Sequence, residues 1–335
     1  MLTHQGRYPV HAISYARVGD VASALAEGAD PGSRFLAGGT TEVDMLRIGV
    51  AQERRLVDIN DLPLNTIEDL PGGGLRLGAL ARMSDVAATP GVRERFPMIA
   101  HALELGASAQ LRNMASMGGN MMQRVRCGYF REAGMPCNKR EPGSGCAAEG
   151  GFHRGHAVLG TSEHCFATHP SDVAVPLVAL DAVIHLRSRY GERSMPLEDF
   201  FLQPGDTPER EHPIEHGELI TAIEVPAAPV ARTSLYWKVR DRESYEFALV
   251  SAAVAATVTD GVIREVRLAL GGVATRPWRA RAAEQMLTGG PAIGDAFEAA
   301  AAAELAPAVG HQQNAFKIEL AKRTIVRVLE RVTAA

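Results

Sequence analysis

The chain has 335 residues, 46% hydrophobic and 22% charged, with a formal net charge of -4. That length accommodates two domains, or one domain with subdomains, each with its own core. The charge excludes the basic face that nucleic acid requires, no run reaches the apolar length of a transmembrane helix, and MLTHQGRYPVHAISYARVGD has neither an apolar stretch nor a small-residue cleavage site. Neither nucleic acid nor membrane is therefore expected as a partner. By its own sequence the chain is expected in the cytoplasm, unless a folded partner with an export signal carries it elsewhere.

From about residue 10 to 60 the pattern reads helix, strand, helix, strand. GDVASALAEG places Val21, Ala24 and Leu25 at helical spacing. SRFLAGG reads as a short buried strand ending on glycines, TTEVDMLRIGV as a helix capped by Thr40 or Thr41, and RRLVDIN as a strand. The next region opens with the strand GLRLGA, a helix capped by Ser84 and the helix PMIAHALELG. The glycine motif MASMGGNMM follows, then a cysteine-bearing loop, the helix SDVAVPLVALDA and the strand AVIHLRS. After the linker VPAAPVA come three strand-like runs, SLYWKVRD, FALVSAAVAATV and VIREVRLALGG, with the turn TDG between the last two. Helices PWRARAAEQML, AIGDAFEAAAAAEL and AFKIELAKRTIVRVLERV close the chain. The expected fold is α+β, in regions 1–60, 61–226 and 227–335, the last a three-stranded antiparallel sheet with helices.

Two glycine turns carry the first chemical signal. FLAGGTTE sets Gly38 and Gly39 between a strand and a helix start, where free N–H groups and a positive dipole end suit a pyrophosphate. A plain tight turn is the simpler reading of one such motif. SMGGN, residues 116–120, is a second turn of the kind, and two together point toward a dinucleotide. No P-loop pattern occurs, and GSGCAA at 143–148 lies in a loop, outside any strand–helix context.

The ordered series FLAGGT, RNMASMGGN, HPSDVAVPLVALDA, ELITAIEVP and YWKVRDRESYEFALVSAAVA resembles the FAD-binding subunits of the molybdenum hydroxylases, the xanthine dehydrogenase and aldehyde oxidase family. The likeness spans about residues 10–330 and is nearest to the FAD subunits of bacterial periplasmic aldehyde oxidoreductases. It implies a PCMH-type FAD-binding domain of two subdomains followed by the C-terminal α+β domain. It implies FAD between the first two regions, with the pyrophosphate on the two turns. The residues so implied are Leu36, Ala37, Gly38, Gly39, Thr40 and Thr41, then Ala107, Ser116, Gly118, Gly119, Asn120 and Met122. Asp172, Ile220 and Lys238 are implied at the flavin. Each has a plainer alternative: Ser171 and Asp172 as helix caps, Ile220 as strand core, Lys238 as an exposed residue. Glu42 would oppose a phosphate if it pointed inward, so it is expected to face away.

All four cysteines, Cys127, Cys137, Cys146 and Cys165, fall among the 51 residues between Asn120 and Asp172, a connection far shorter in most of the family. Their spacing is C-x9-C-x8-C-x18-C. Two disulfides would suit a secreted loop; structural zinc usually shows close C-x2-4-C pairs; a [4Fe–4S] cluster needs four thiolates on a loop able to wrap it. Spacing leaves cluster and zinc open. The resemblance of RCGYFREAGMPCNKREPGSGCAA to a cluster-bearing branch implies the [4Fe–4S] cluster, in an insertion at about 121–169. Arg124, Arg126, Arg131, Lys139, Arg140 and Arg154 would raise its potential, or else be solvated or meet a partner. His153, His156, His164 and His169 lie nearby as surface residues or supports of the ligands.

No nucleophile–base triad stands out, and no catalytic residue is assigned. The resemblance implies an oxidoreductase subunit passing electrons from a molybdenum-cofactor subunit, through a [2Fe–2S] subunit, to FAD and an external acceptor. A 4-hydroxybenzoyl-CoA reductase type subunit, a stand-alone flavin oxidase and a docking protein with a metal loop are the alternatives.

Overall fold

The computed structural model describes residues 12–334, so the first eleven residues of the N-terminal reading lie outside the described part. No helix among the described residues is long and apolar enough to cross a membrane. The chain is α+β, with three sheets in succession. The first is parallel, in the order β1 (Ser14–Arg17), β3 (Arg55–Asp58), β2 (Ser33–Leu36). Asp20 caps its first helix, Val21–Gly28, by accepting from the Ser23 N–H at 2.9 Å. Glu42–Arg47 forms the second helix; Thr41 occupies its N-cap position without a side-chain cap bond.

The second sheet runs β4 (Ile67–Asp69), β5 (Leu75–Gly78), β8 (Leu219–Val225), β6 (Val183–Ser188), β7 (Gly191–Pro196), antiparallel throughout. Helices Pro97–Leu105 and Ala174–Ala179 cover it, burying Ile99, Leu103, Val175 and Leu177 against Leu77, Ile184 and Ile223. Ser84 is not the cap of helix Met83–Ala88. Arg82 holds that position, and the Ser84 hydroxyl turns to Asp85 instead.

The third sheet is β9 (Ser234–Val239), β10 (Val250–Thr259), β11 (Val262–Gly271) and β12 (Trp278–Arg279), in the order β12-β11-β10-β9. The expected three strands are present, and a short fourth extends them. Trp278 and Arg279, read from sequence as the start of a helix, pair with Leu270 and Ala269, so the helix begins only at Arg281. Asp260 (φ 53°) and Gly261 (φ 73°) form the two-residue turn between β10 and β11, the left-handed pair such hairpins favour.

Strand β10 is buried on both faces. Val250, Ala252 and Val254 pack toward the C-terminal helices Gly294–Glu304 and Phe316–Thr333, while Ala253 and Ala255 join the core of the second sheet. Alternation of large and small side chains permits this, because alanine lets helix Pro97–Leu105 approach the strand closely. The third sheet is thereby held against the second, and Tyr236 and Lys238 of β9 are carried into the seam.

Candidate functional site

The two glycine turns lie side by side. A Cβ on Gly38 would sit 1.9 Å from the Met114 carbonyl oxygen and 3.1 Å from Ala115 Cα, so only glycine lets the first turn touch the backbone entering the second. Gly39 has φ +71°, a conformation glycine adopts without strain. The second turn begins at Ser116, whose Oγ accepts from the Gly119 N–H at 3.2 Å and caps the short helix Met117–Met121.

The turns differ in their free donors. Met117 and Gly118 N–H donate to the carbonyls of Ala81 and Ala79 at 2.9 and 2.7 Å, and Asn120 N–H to Ser116 at 2.8 Å. Among the described residues, no partner is found for the N–H groups of Gly38, Gly39, Thr40 and Thr41. The first turn therefore leaves its N–H groups free toward the space between the two, and the second forms the wall opposite. Between them lies a cavity of about 440 Å³, within the usual range of ligand sites. Of the residues expected at FAD, Ala37, Gly38, Gly39, Thr40, Thr41, Ser116, Gly118, Gly119, Met122 and Ile220 line it. Ile220 also belongs to the core of the second sheet.

Glu42 corrects an expectation: its side chain lines the cavity. Arg34 draws it inward, its Nε 3.9 Å from one Glu42 oxygen and its Nη2 2.8 Å from Glu53. Burial, then the neighbouring Glu53, push the Glu42 carboxyl up to about 7. One oxygen of each carboxylate, Glu42 Oε1 and Glu53 Oε2, is buried without a hydrogen-bond partner. A neutral Glu42 at the cradle is compatible with a phosphate where an ionised one would repel it. Arg34 and Glu53 of the lining escaped the sequence reading, since polar residues in loops give no periodic signal, and Arg124, expected at the cysteine insertion, also lines this cavity.

Leu36, Ala107, Asn120, Asp172 and Lys238 lie off this cavity. Lys238, expected as exposed or at the flavin, is buried and donates to Asp172 Oδ2 at 2.8 Å and to the Leu105 carbonyl at 3.1 Å. Tyr236 donates to Asp172 Oδ1 at 2.6 Å. Burial raises the Asp172 carboxyl, and its two donors oppose that shift. Ala107, at φ +50°, turns the chain just after Gly106, where a Cβ would lie 3.4 Å from Asp172 Oδ2. Ser171 takes the capping role, its Oγ accepting from the Ala174 N–H at 3.1 Å and donating to Asn120 Oδ1 at 2.6 Å. That last bond joins the two ends of the cysteine insertion, which leaves and returns at one point.

The insertion is stapled by ion pairs. Arg131 donates to Asp44 at 2.6 Å, and Arg126 lies 3.4 Å from it. Arg124 and Lys139 both meet Glu211, Lys139 at 3.4 Å. Arg154 pairs with Asp241 at 2.6 Å. Arg140 donates to the carbonyls of Tyr129, Phe130, Ala133 and Met135. These cations hold the loop down and are neither a solvated face nor a bare patch. Asp44 belongs to the helix after the first glycine turn, and Met45 of that helix packs with Val125, Phe130, Cys137 and Cys165. The cradle and the insertion share one helix.

All four cysteines are free. They line one small internal void together with Phe130, Pro136, His156 and Phe166. Cys137 and Cys146 face each other across an antiparallel bridge. Backbone N–H groups of Tyr129 and Phe130 favour the Cys127 thiolate, those of Ala148 and Glu149 the Cys146 thiolate, and that of Ala167 the Cys165 thiolate. Burial pushes the Cys127 thiol up to about 11 and raises Cys146 and Cys165 as well, so binding a metal group here releases protons. No three His, Cys, Asp or Glu side chains among the described residues are grouped as a single ion requires. That spread does not match a tetrahedral zinc site. All four thiols border this one void, of about 10 Å³.

Residues 10–228 match the family described as the FAD binding domain in molybdopterin dehydrogenase, and residues 235–332 match the CO dehydrogenase flavoprotein C-terminal domain. The chain is 46% identical to the aldehyde oxidoreductase FAD-binding subunit PaoB of Escherichia coli over 326 residues, covering 96% of this chain and 99% of that protein. It is 30% identical to the glyceraldehyde dehydrogenase medium chain of Sulfolobus acidocaldarius, covering 82% and 81%. Among solved structures, carbon monoxide dehydrogenase from Hydrogenophaga pseudoflava aligns with a TM-score of 0.75 at 25% identity, over 96% of this chain and 98% of that one.

Proposed function

The chain belongs to the FAD-binding subunits of the molybdenum hydroxylase family, and on that premise we propose that it is the electron-transfer subunit of an aldehyde oxidoreductase complex, carrying FAD and a [4Fe–4S] cluster. The observation that carries the flavin is the 440 Å³ cavity with four unpaired N–H groups of the first glycine turn on its wall. A diphosphate supplies the acceptors those donors lack. FAD, when bound, supplies conversion between one- and two-electron steps. The chain's own residues do the rest: Gly38–Thr41 hold the phosphates, Glu42 and Glu53 offer carboxylate oxygens to hydroxyl or amino groups, and Ile220 and Met122 present apolar surface. Asp172 and Lys238 stay paired with each other in the seam, off this cavity.

Cys127, Cys137, Cys146 and Cys165 would hold the cluster. The void that all four cysteines border supports this. Partners in the complex are a [2Fe–2S] subunit and a molybdenum-cofactor subunit, with an external acceptor taking the electrons. The chain divides into units 1–60, 61–226 and 227–335, and it reaches the periplasm on a partner's export signal if it leaves the cytoplasm. The test is one purified preparation of the full chain with its co-expressed neighbours. Stoichiometric FAD, and iron and acid-labile sulfide at four each per chain, are expected. A colourless chain sinks the reading, as does aldehyde turnover by this chain alone.

A further inference from the structure

Among the described residues, His153, His164 and His169 of the insertion make no hydrogen bond to a cysteine sulfur, and the buried Nε2 of His169 has no hydrogen-bond partner. His164 meets Asp206 at 3.6 Å on the surface. His153 Nδ1 lies 3.1 Å from the Ala148 carbonyl, and its Nε2 accepts from the Gln313 N–H at 3.3 Å. His169 packs edge-on against Phe201 at 4.7 Å. His156 differs: its Nε2 lies 3.3 Å from Cys127 Sγ.

The far end of the chain enforces that placement. Lys317 Nζ donates to the carbonyls of Gly155 and His156, both at 3.0 Å. Asn314 Nδ2 donates to the carbonyls of His156 and Ala157 at 3.3 and 3.0 Å. Both side chains belong to fully buried residues. The Phe166 ring packs between His156, at 4.8 Å, and His311, at 4.6 Å. The C-terminal segment thus grips the peptide on either side of His156, and Phe166 grips its ring.

Cys127 and His156 both also border a second cleft, of about 650 Å³. We propose that His156 is a positioning residue that donates an Nε2–H···S hydrogen bond to the Cys127 thiolate and so raises the reduction potential of the cluster. This rests on the cluster assignment made above. Hydrogen bonds to ligand sulfurs disperse the negative charge that reduction adds, and they favour the reduced form. Among the described residues, His156 is the one side chain found within hydrogen-bond distance of Cys127 Sγ.

The test is an anaerobic redox titration of the assembled complex followed by electron paramagnetic resonance, for the natural chain, His156→Ala and His156→Gln. Iron and sulfide are counted in each. With iron content preserved, His156→Ala is expected to reduce the equilibrium constant for one-electron reduction at least about tenfold, a downward shift of 59 mV. His156→Gln, which keeps an N–H donor, is expected to restore at least half of that shift, and the flavin potential in the same titration stays fixed. An unmoved cluster potential in His156→Ala overturns the proposal. Loss of one iron in that variant overturns it too, since His156 would then be a ligand. A natural complex with flavin but without iron and sulfide instead overturns the cluster assignment, and with it this role.

Discussion

The flavin cradle and the cysteine insertion are neighbours built on opposite plans. The cradle is made of backbone. Its shape follows from glycines that allow chain to touch chain, and its donors are main-chain N–H groups that exist in every sequence. The insertion has scarcely any regular structure, a single helical turn at Gly128–Arg131. It is held by charged side chains reaching to Asp44, Glu211 and Asp241, on elements far away in sequence. A backbone site is sensitive to one added methyl group, because packed chain has no room to give. A loop held by many ion pairs loses little with any one of them.

The sharpest way to break the cradle is Gly38→Ala. Its methyl would collide with the Met114 carbonyl, and overpacking of this kind costs roughly 3 kcal/mol, on the order of a hundredfold in flavin affinity. The FAD-to-protein ratio after gel filtration checks it. Retained stoichiometric flavin would show that the two turns need not touch. Cys137→Ser comes next, and it separates the regions: if the proposed cluster is present, its iron is expected to be lost while flavin content and the first-turn cavity persist. Joint loss of both groups would mean that the shared helix, Glu42–Arg47, couples them more tightly than packing at Met45 suggests.

Glu42 gives a pH signature to the cradle alone. Its folded pKa of about 7 lies above the ordinary value, so the native state holds the proton more firmly than the unfolded chain. That contribution is complete below about pH 4.3, the ordinary value, and is lost as pH rises through about 7. Glu53 is shifted the other way, and its window lies below its ordinary value, outside this range. Unfolding of the flavin-free chain is therefore expected to become easier from pH 5.5 to 7.5, by on the order of 1 kcal/mol, and Glu42→Gln should flatten that slope. FAD affinity should weaken over the same interval and stop doing so in the variant. A slope unchanged by Glu42→Gln would assign it elsewhere. The smallest effect is expected from Asp44→Asn, which weakens two half-buried ion pairs and costs about 1 kcal/mol or less. Faster proteolysis within 121–169, with normal flavin content, is its expected mark.

Much of the architecture was legible because periodic burial writes itself into sequence. β2, β3, β5, β6, β9, β10 and β11 and the three C-terminal helices follow from apolar spacing and turn residues. What was missed has a common cause. Trp278 and Arg279 become strand only because Leu270 and Ala269 offer them a free edge. Ser84 lost its capping role because the chain already turns at Arg82, bridged to Ser116. Glu42 turned inward for Arg34, eight residues away in sequence and on a different element. Lys238 was read as exposed or flavin-facing, and β9 carries it instead into a seam where Asp172 waits.

By itself the sequence determined the family, the α+β order of elements, both glycine turns and the confinement of every cysteine to one insertion, because each of these depends on residue type and local spacing. Tertiary structure alone decided which turn keeps its donors free, which carboxylate faces the cavity, and that His156 meets Cys127. Those outcomes depend on what a distant part of the chain places opposite a residue, and no local pattern carries that information.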